Sequence, residues 1–337
     1  MAVTWTNKHN LPQEFVNALT TDNHVVNGDI SVTQLMDAPQ IRQLRKTCDY
    51  EMDVMDMIGM MIGTAFHDFM ERLTFSSNHR ARVLEEAAGI FKGLGDDKAS
   101  AWLLKSADKH FGESINKDVV MEQTLSMEVD GIVISGTFDR YTLSTGMLED
   151  YKTTSANSMM FPETKSSYNE QLNIYRMLME HNGYEVKSAR IIAILKDWSK
   201  MKIMQNKDYP RTPVVMMPIK LIEKETVLNH VKKRIALHKR ADNGEHIPCT
   251  DKDRWKKKDT YKVKKTDGVR SLKNHDSIAM AEKFVSENEF KYPKGLWIET
   301  VKAESFRCQN GYCAMSHVCP QYAKEKAEAT KSADQMK

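Results

Sequence analysis

A chain of 337 residues is long enough for one large domain or two modest ones, so a buried core needs no disulfides to hold it together. With 41% hydrophobic and 28% charged residues the composition is that of a globular protein, which excludes wholesale disorder. A formal net charge of only +3 excludes a global electrostatic pull on nucleic acid, so any such attraction must come from local clustering.

The N-terminus lacks the charged-then-apolar order of a secretory signal, and no apolar run reaches the roughly 18 residues that span a bilayer. A cytoplasmic protein with no membrane partner is expected. Five cysteines are an odd number for a disulfide framework, and three of them crowd into residues 308–319, a spacing that in a reducing compartment points to a bound metal or cluster. The 22 methionines read as flexible core filler.

In chain order, the first 50 residues suggest short helical or turn segments, with Ser31 as an N-cap before Val32. Apolar residues at helical spacing predict a helix over 57–73, a second containing Leu84, Ala88 and Leu94, and a third over 101–111. At Val119 the period changes to two. Runs over 120–129, 132–143 and 147–152, separated by Asp130-Gly131 and Ser144-Thr145-Gly146, predict a three-stranded antiparallel meander. A helix over 164–181 should end at Asn182-Gly183, followed by strands over 188–196 and 213–219 and by a charged helix over 224–242. Residues 252–273 then hold ten Lys or Arg against three Asp, with Trp255 and Tyr261 interleaved. Such a stretch can follow a phosphate backbone, with Lys256, Lys257, Lys258, Lys264 and Lys265 as candidate DNA contacts; a solvated hairpin turning at Asp267-Gly268 is the alternative.

Chemistry concentrates in Ser135-Gly136-Thr137-Phe138-Asp139 and, ten residues on, Glu149-Asp150-Tyr151-Lys152. Carboxylates on adjacent strands can converge to hold Mg²⁺ or Mn²⁺ through hard oxygen ligands. Lys152 shares a strand face with Asp150, because side chains alternate with period two. Its ammonium would orient or help deprotonate an attacking water and offset charge in a phosphoryl transition state. Glu149 is a further candidate acid. Upstream, Gly63 to Glu71 places His67 and Glu71 one helical turn apart, where His67 can offer an imidazole to the same metal with Glu71 behind it. Downstream, Gln171 and Tyr175 stand at i and i+4, able to hold the nucleic-acid backbone or the segment bearing Lys152; an ordinary amphipathic helix with Leu172, Ile174 and Leu178 inward is the alternative.

These four elements together resemble the RecB-like exonuclease branch of the PD-(D/E)XK nuclease superfamily, in which a Gly-x-x-x-His helix, a Gly-x-x-Asp strand, an Asp-x-Lys strand and a Gln-x-x-x-Tyr helix occur in this order. The resemblance implies an α/β fold with a restriction-endonuclease-like core (helix, three-stranded antiparallel meander, helix, strand), a helical N-terminal part and a cysteine-containing C-terminal segment. The expected divisions are an N-terminal helical segment over 1–56, a nuclease core over 57–245, a basic and cysteine-bearing segment over 246–325 and a tail over 326–337. It further implies a metal-dependent DNA exonuclease of phage type serving recombination, repair or replication, located in the host cytoplasm if phage-encoded. His67, Asp139, Asp150 and the Tyr151 carbonyl would surround the metal. No Gly-x-x-x-x-Gly-Lys-Ser/Thr loop is present, so a helicase would be a partner, as would a recombinase or single-strand-binding protein.

Cys249, Cys308, Cys313 and Cys319 are similar to the four cysteines with which several RecB-like nucleases hold a 4Fe-4S cluster, although in the better-known members the distant cysteine precedes the histidine helix. Zinc held by Cys308, Cys313, Cys319 and either Cys249 or His317 is one alternative, and buried thiols with no ligand another. A non-catalytic module holding DNA ends or a partner on the same fold is the competing function; it predicts eroded active-site residues, whereas Asp139, Asp150 and Lys152 are all present.

Overall fold

The computed structural model describes residues 2–21, 27–74, 76–111 and 118–334. The chain forms two compact units, one from Trp5–Met36 and Asp53–His238, the other from Met1–Thr4, Asp37–Met52 and Lys239–Lys337.

The larger unit is built on a six-stranded mixed sheet. Its central strand, Ile132–Thr142, pairs antiparallel with Val119–Val129 along one edge. Asp130 and Gly131 join them at φ of 50° and 72°, the left-handed pair that a two-residue hairpin turn requires and that only a residue without a Cβ adopts freely. The other edge is shared. Met147–Thr154 pairs antiparallel with it only over Arg140↔Glu149, Tyr141↔Leu148 and Thr142↔Met147. Further along that edge the short strand Ile30–Ser31 runs parallel with Ile134 and Ser135. Ser31 also begins the helix Val32–Met36, its Oγ accepting from Gln34 N at 3.2 Å while Gln34 Oε1 accepts from Ser31 N at 3.3 Å, a reciprocal capping box.

From Met147–Thr154 the chain crosses through the helix Pro162–His181 to the strand Ser188–Leu195, which lies parallel to it; a parallel neighbour demands such a crossover. Val214–Ile219 completes the sheet antiparallel to Ser188–Leu195. The crossover helix starts with Pro162 in its first turn and stops where Gly183 takes φ +89°. Its Leu172, Ile174, Leu178 and Met179 pack with Phe138, Ile134, Leu148 and Ile191 into the main core. On the other side, Phe66 and Met70 from the helix Ile58–Thr74 lie against Tyr151, Val119 and Met121. The expected order of helix, meander, helix and strand is therefore present, within an α/β architecture.

The smaller unit holds a three-stranded antiparallel sheet with Thr260–Lys265 between Ser271–His275 and Leu296–Val301. The hairpin read from the basic run is its first pair. Helix Ile278–Asn288, capped by the Ser277 side chain, packs with the fully buried Val263 side of the sheet. Ala38, Ile41, Cys313 and Met315 form a second small core.

Candidate active site and cysteine pocket

Register explains how the site is made. The pairs between the central strand and Met147–Thr154 follow a constant sum, so Asp139 should next face Asp150. Pairing stops there. In place of a backbone partner, the Asp139 carboxylate takes the Tyr151 N–H on Oδ2 at 2.5 Å. The two strands separate where the two carboxylates stand, leaving Asp139 and Asp150 only 6% and 2% exposed.

Alternation then sorts the Asp-x-Lys strand. Lys152 Nζ lies 2.5 Å from Asp150 Oδ2, an ion pair in which that oxygen still has no aligned hydrogen-bond donor. Tyr175 closes the site from the crossover helix. Its ring sits against Gly136, where an added Cβ would fall 2.6 Å from Tyr175 Cε1 and 2.8 Å from Val32 Cγ2. The glycine of the Gly-x-x-Asp strand is thus a seat for the tyrosine ring. Gln171 hydrogen-bonds the Tyr175 hydroxyl, whose pKa is pushed up to about 12 by burial and then by the Asp150 charge. At 8% exposure Tyr175 faces Asp150 and Lys152.

His67 enters from the helix Ile58–Thr74. Its Nε2 is 3.3 Å from the Tyr151 carbonyl, and its Nδ1 is 3.2 Å from Glu122 Oε1 and 3.6 Å from Asp139 Oδ1. The carboxylate behind the imidazole is therefore Glu122 and not Glu71. Glu122 is not among the site residues expected from the sequence, although a two-residue turn at Asp130-Gly131 fixes the hairpin register and sets residue 122 opposite residue 139. Glu122 has φ +47°, left-handed inside a strand, and the pairing resumes on both sides of it.

Glu149, expected beside Asp150 as an acid, points away from it. It is 1% exposed and ion-paired with both Arg140 and Arg190, with Arg190 Nε 2.7 Å from Oε1. Neither arginine was anticipated. The pair ties the central strand and the strand Ser188–Leu195 to the one between them.

The electrostatics fit a cation. Burial, and next the Asp150 charge, push the Asp139 carboxyl up to about 8. Burial works against a charged His67, but the Glu122 hydrogen bond and the Asp139 charge outweigh it and raise its pKa. Lys152 is also raised, because Asp150 and Asp139 overcome the cost of its burial. One oxygen or nitrogen each from His67, Glu122 and Asp139 lies within 4.8 Å of the others. Two crowded buried carboxylates, Asp139 and Asp150, with the His67 imidazole and the Tyr151 carbonyl form a donor set that a hard divalent cation takes.

In the smaller unit Cys249, Cys308, Cys313 and Cys319 line one pocket with Gln40 and Arg307. Gln40 Nε2 reaches Cys319 Sγ at 3.6 Å, and Gln40 Oε1 accepts from Cys249 N at 3.1 Å. Burial drives the Cys249 and Cys308 thiols up, to about 12 and about 11. Cys48 does not line this pocket, and His317 instead receives the Glu51 N–H at 3.4 Å. Of the basic residues, Lys264 is paired with Glu299 at 2.8 Å and lies over Trp297, Lys265 lies over Tyr292, and Lys256 is 3.9 Å from Glu325. Lys257 and Lys258 are exposed.

A mixed sheet whose separated strands present two buried carboxylates and a lysine defines an α/β nuclease core. The sequence model of the PD-(D/E)XK nuclease superfamily matches residues 40–320, and the chain belongs to that superfamily. Among solved structures the chain is similar to SSO0001, with 15% identity and a TM-score of 0.36 over 67% of this chain and 82% of that one. It is also similar to a phage related exonuclease from Haemophilus somnus 129PT, with 16% identity and a TM-score of 0.26 over 49% of this chain and 81% of that one. No match was found among the curated proteins. Among the described residues, no helix is long and apolar enough to cross a membrane.

Proposed function

We propose that the protein is a divalent-metal-dependent deoxyribonuclease of the RecB-like branch, acting as an exonuclease in DNA recombination, repair or replication. The observation that carries this reading is the convergence of His67, Asp139, Asp150 and Lys152 at the point where two strands separate. His67, Asp139, Asp150 and the Tyr151 carbonyl would hold Mg²⁺ or Mn²⁺, which when bound supplies Lewis acidity toward the scissile phosphate and its attacking water. Lys152, held by Asp150, orients that water and offsets charge gathering on the phosphate. Gln171 and Tyr175 position Lys152 and Asp150, Glu122 orients the His67 ring, and Glu149 serves as a strut between strands. Lys256, Lys257, Lys258, Lys264 and Lys265 give the smaller unit a surface for the DNA backbone.

For the cysteines we favour a 4Fe-4S cluster over zinc. The four thiols line one pocket, and their order along the chain, one distant and three C-terminal, is similar to that of the cluster-bearing RecB-like nucleases; zinc held by the same thiols is the alternative.

Incubation with end-labelled linear DNA and with closed circular DNA in Mg²⁺, Mn²⁺ or EDTA tests the function. Linear DNA should be shortened from its ends and circles left intact, with no reaction in EDTA. Cutting of circles would remove the exonuclease reading, and inertness in both metals would remove catalysis.

A further inference from the structure

The smaller unit carries a surface that the phosphodiesterase chemistry does not use. Trp255, Tyr312 and Phe306 are 48%, 60% and 46% exposed, and their rings touch in series. Phe306 stacks on Tyr312 with centroids 5.8 Å apart and 22° between planes, and Trp255 lies 5.3 Å from Tyr312 at 48°. We infer that these three rings are a platform on which unpaired bases of single-stranded DNA stack, an inference that rests on the nuclease reading above.

Three large rings left in contact with one another and with water form an apolar patch of the kind that marks a binding surface. The backbone supports the same conclusion. Trp255 has φ +53°, a left-handed conformation that a bulky residue adopts at a cost and that glycine adopts freely. Its neighbours choose the occupant. Arg307 lies over the Trp255 ring at 5.8 Å, fixed there by Asp37 at 3.1 Å and by the Asp253 carbonyl at 3.2 Å. Lys257 and Lys258 come two and three residues after Trp255, both exposed, and neither forms an ion pair among the described residues, whereas Lys256 between them and the ring is 3.9 Å from Glu325. Ring faces beside cations suit a polyanion with exposed base faces, which single strands offer and a duplex withholds.

The test is binding of fluorescein-labelled oligo-dT to the full chain in EDTA, followed by anisotropy across a salt series, with thermal midpoints for every variant. Trp255→Gly should keep or raise the midpoint, because it relaxes the left-handed residue, while oligo-dT affinity falls about tenfold or more. The slope of affinity against salt should not change, since a ring releases no counterion; Lys257→Gln with Lys258→Gln should flatten it. Tyr312→Ala should lose affinity and Tyr312→Phe should keep it, a comparison that stands even if Trp255→Gly fails to fold. Unchanged oligo-dT affinity in a folded Trp255→Gly and in Tyr312→Ala would overturn the platform. So would self-association of the wild type abolished by Trp255→Gly, which would make the rings a contact between copies. If the wild type cuts DNA with Mn²⁺ but these variants bind normally, only the platform fails; if the wild type neither binds nor cuts, the nuclease reading fails as well.

Discussion

Asp139, as a ligand of the proposed metal, would illustrate how burial readies a carboxylate for a cation at a cost to the fold. Its carboxyl sits at about 8 in the folded chain against an ordinary 3.8, because burial and then Asp150 oppose its ionisation. A raised acid pKa means that the folded state holds the proton more tightly, so stability from this group falls as pH rises from about 4 to about 8. A cation bound there would replace the proton and reverse that loss. Mn²⁺ should therefore raise the thermal midpoint more at pH 8 than at pH 5, and equal gains at both would separate Asp139 from the metal. Glu122 makes a second prediction. As the partner of His67 Nδ1 at 3.2 Å it would keep the proton on Nδ1 and leave the Nε2 lone pair, beside the Tyr151 carbonyl, for a cation. Glu122→Gln should weaken Mn²⁺ binding about 10- to 100-fold by calorimetry, with little change in midpoint without metal. Unaltered affinity would make Glu122 a bystander.

At the scale of elements, the site depends on strands that part at the right residue and on a helix that can approach them. Gly136 permits the approach. Its replacement by alanine sets a Cβ 2.6 Å from the Tyr175 ring, so Gly136→Ala should cost about 1 to 3 kcal/mol in urea unfolding and displace Tyr175 from Asp150 and Lys152. A neutral effect would mean that the ring shifts freely and positions nothing. Much of this layer was legible in the sequence. Period-two alternation between strong turns marks the meander, and the sequence expectation of a helix over 224–242 matches Lys224–Asp242. Other parts depend on distant partners. Ile30–Ser31 is too short to carry any period and becomes a strand only because the gap beside Ile134 and Ser135 accepts it. Leu296–Val301 pairs with Thr260–Lys265 across about thirty residues, so nothing local announces it. Asp139, Asp150 and Lys152 were readable from spacing; the direction of Glu149 was not, since its arginines come from two other strands.

Over the whole molecule, the chain devotes one compact unit to the carboxylate site and the other to the cysteines, basic residues and exposed rings. The cysteine pocket draws on residues 37–52 and 239–334, so a centre bound there would close long loops within that unit. Protein purified without oxygen should be brown and contain iron and sulfide, and Cys313→Ser should lose the colour and make residues 239–334 easier to proteolyse. Colourless protein with stoichiometric zinc would reassign the centre, and protein with neither metal would remove it. The central claim concerns the other unit, and its most direct test is Mn²⁺-dependent cleavage of end-labelled linear DNA by the wild type and by Asp150→Asn. The wild type should cut, while Asp150→Asn should bind DNA as well or better and cut slower by about a thousandfold or more, having lost a ligand and the partner of Lys152. Cleavage by Asp150→Asn at the wild-type rate would contradict the account.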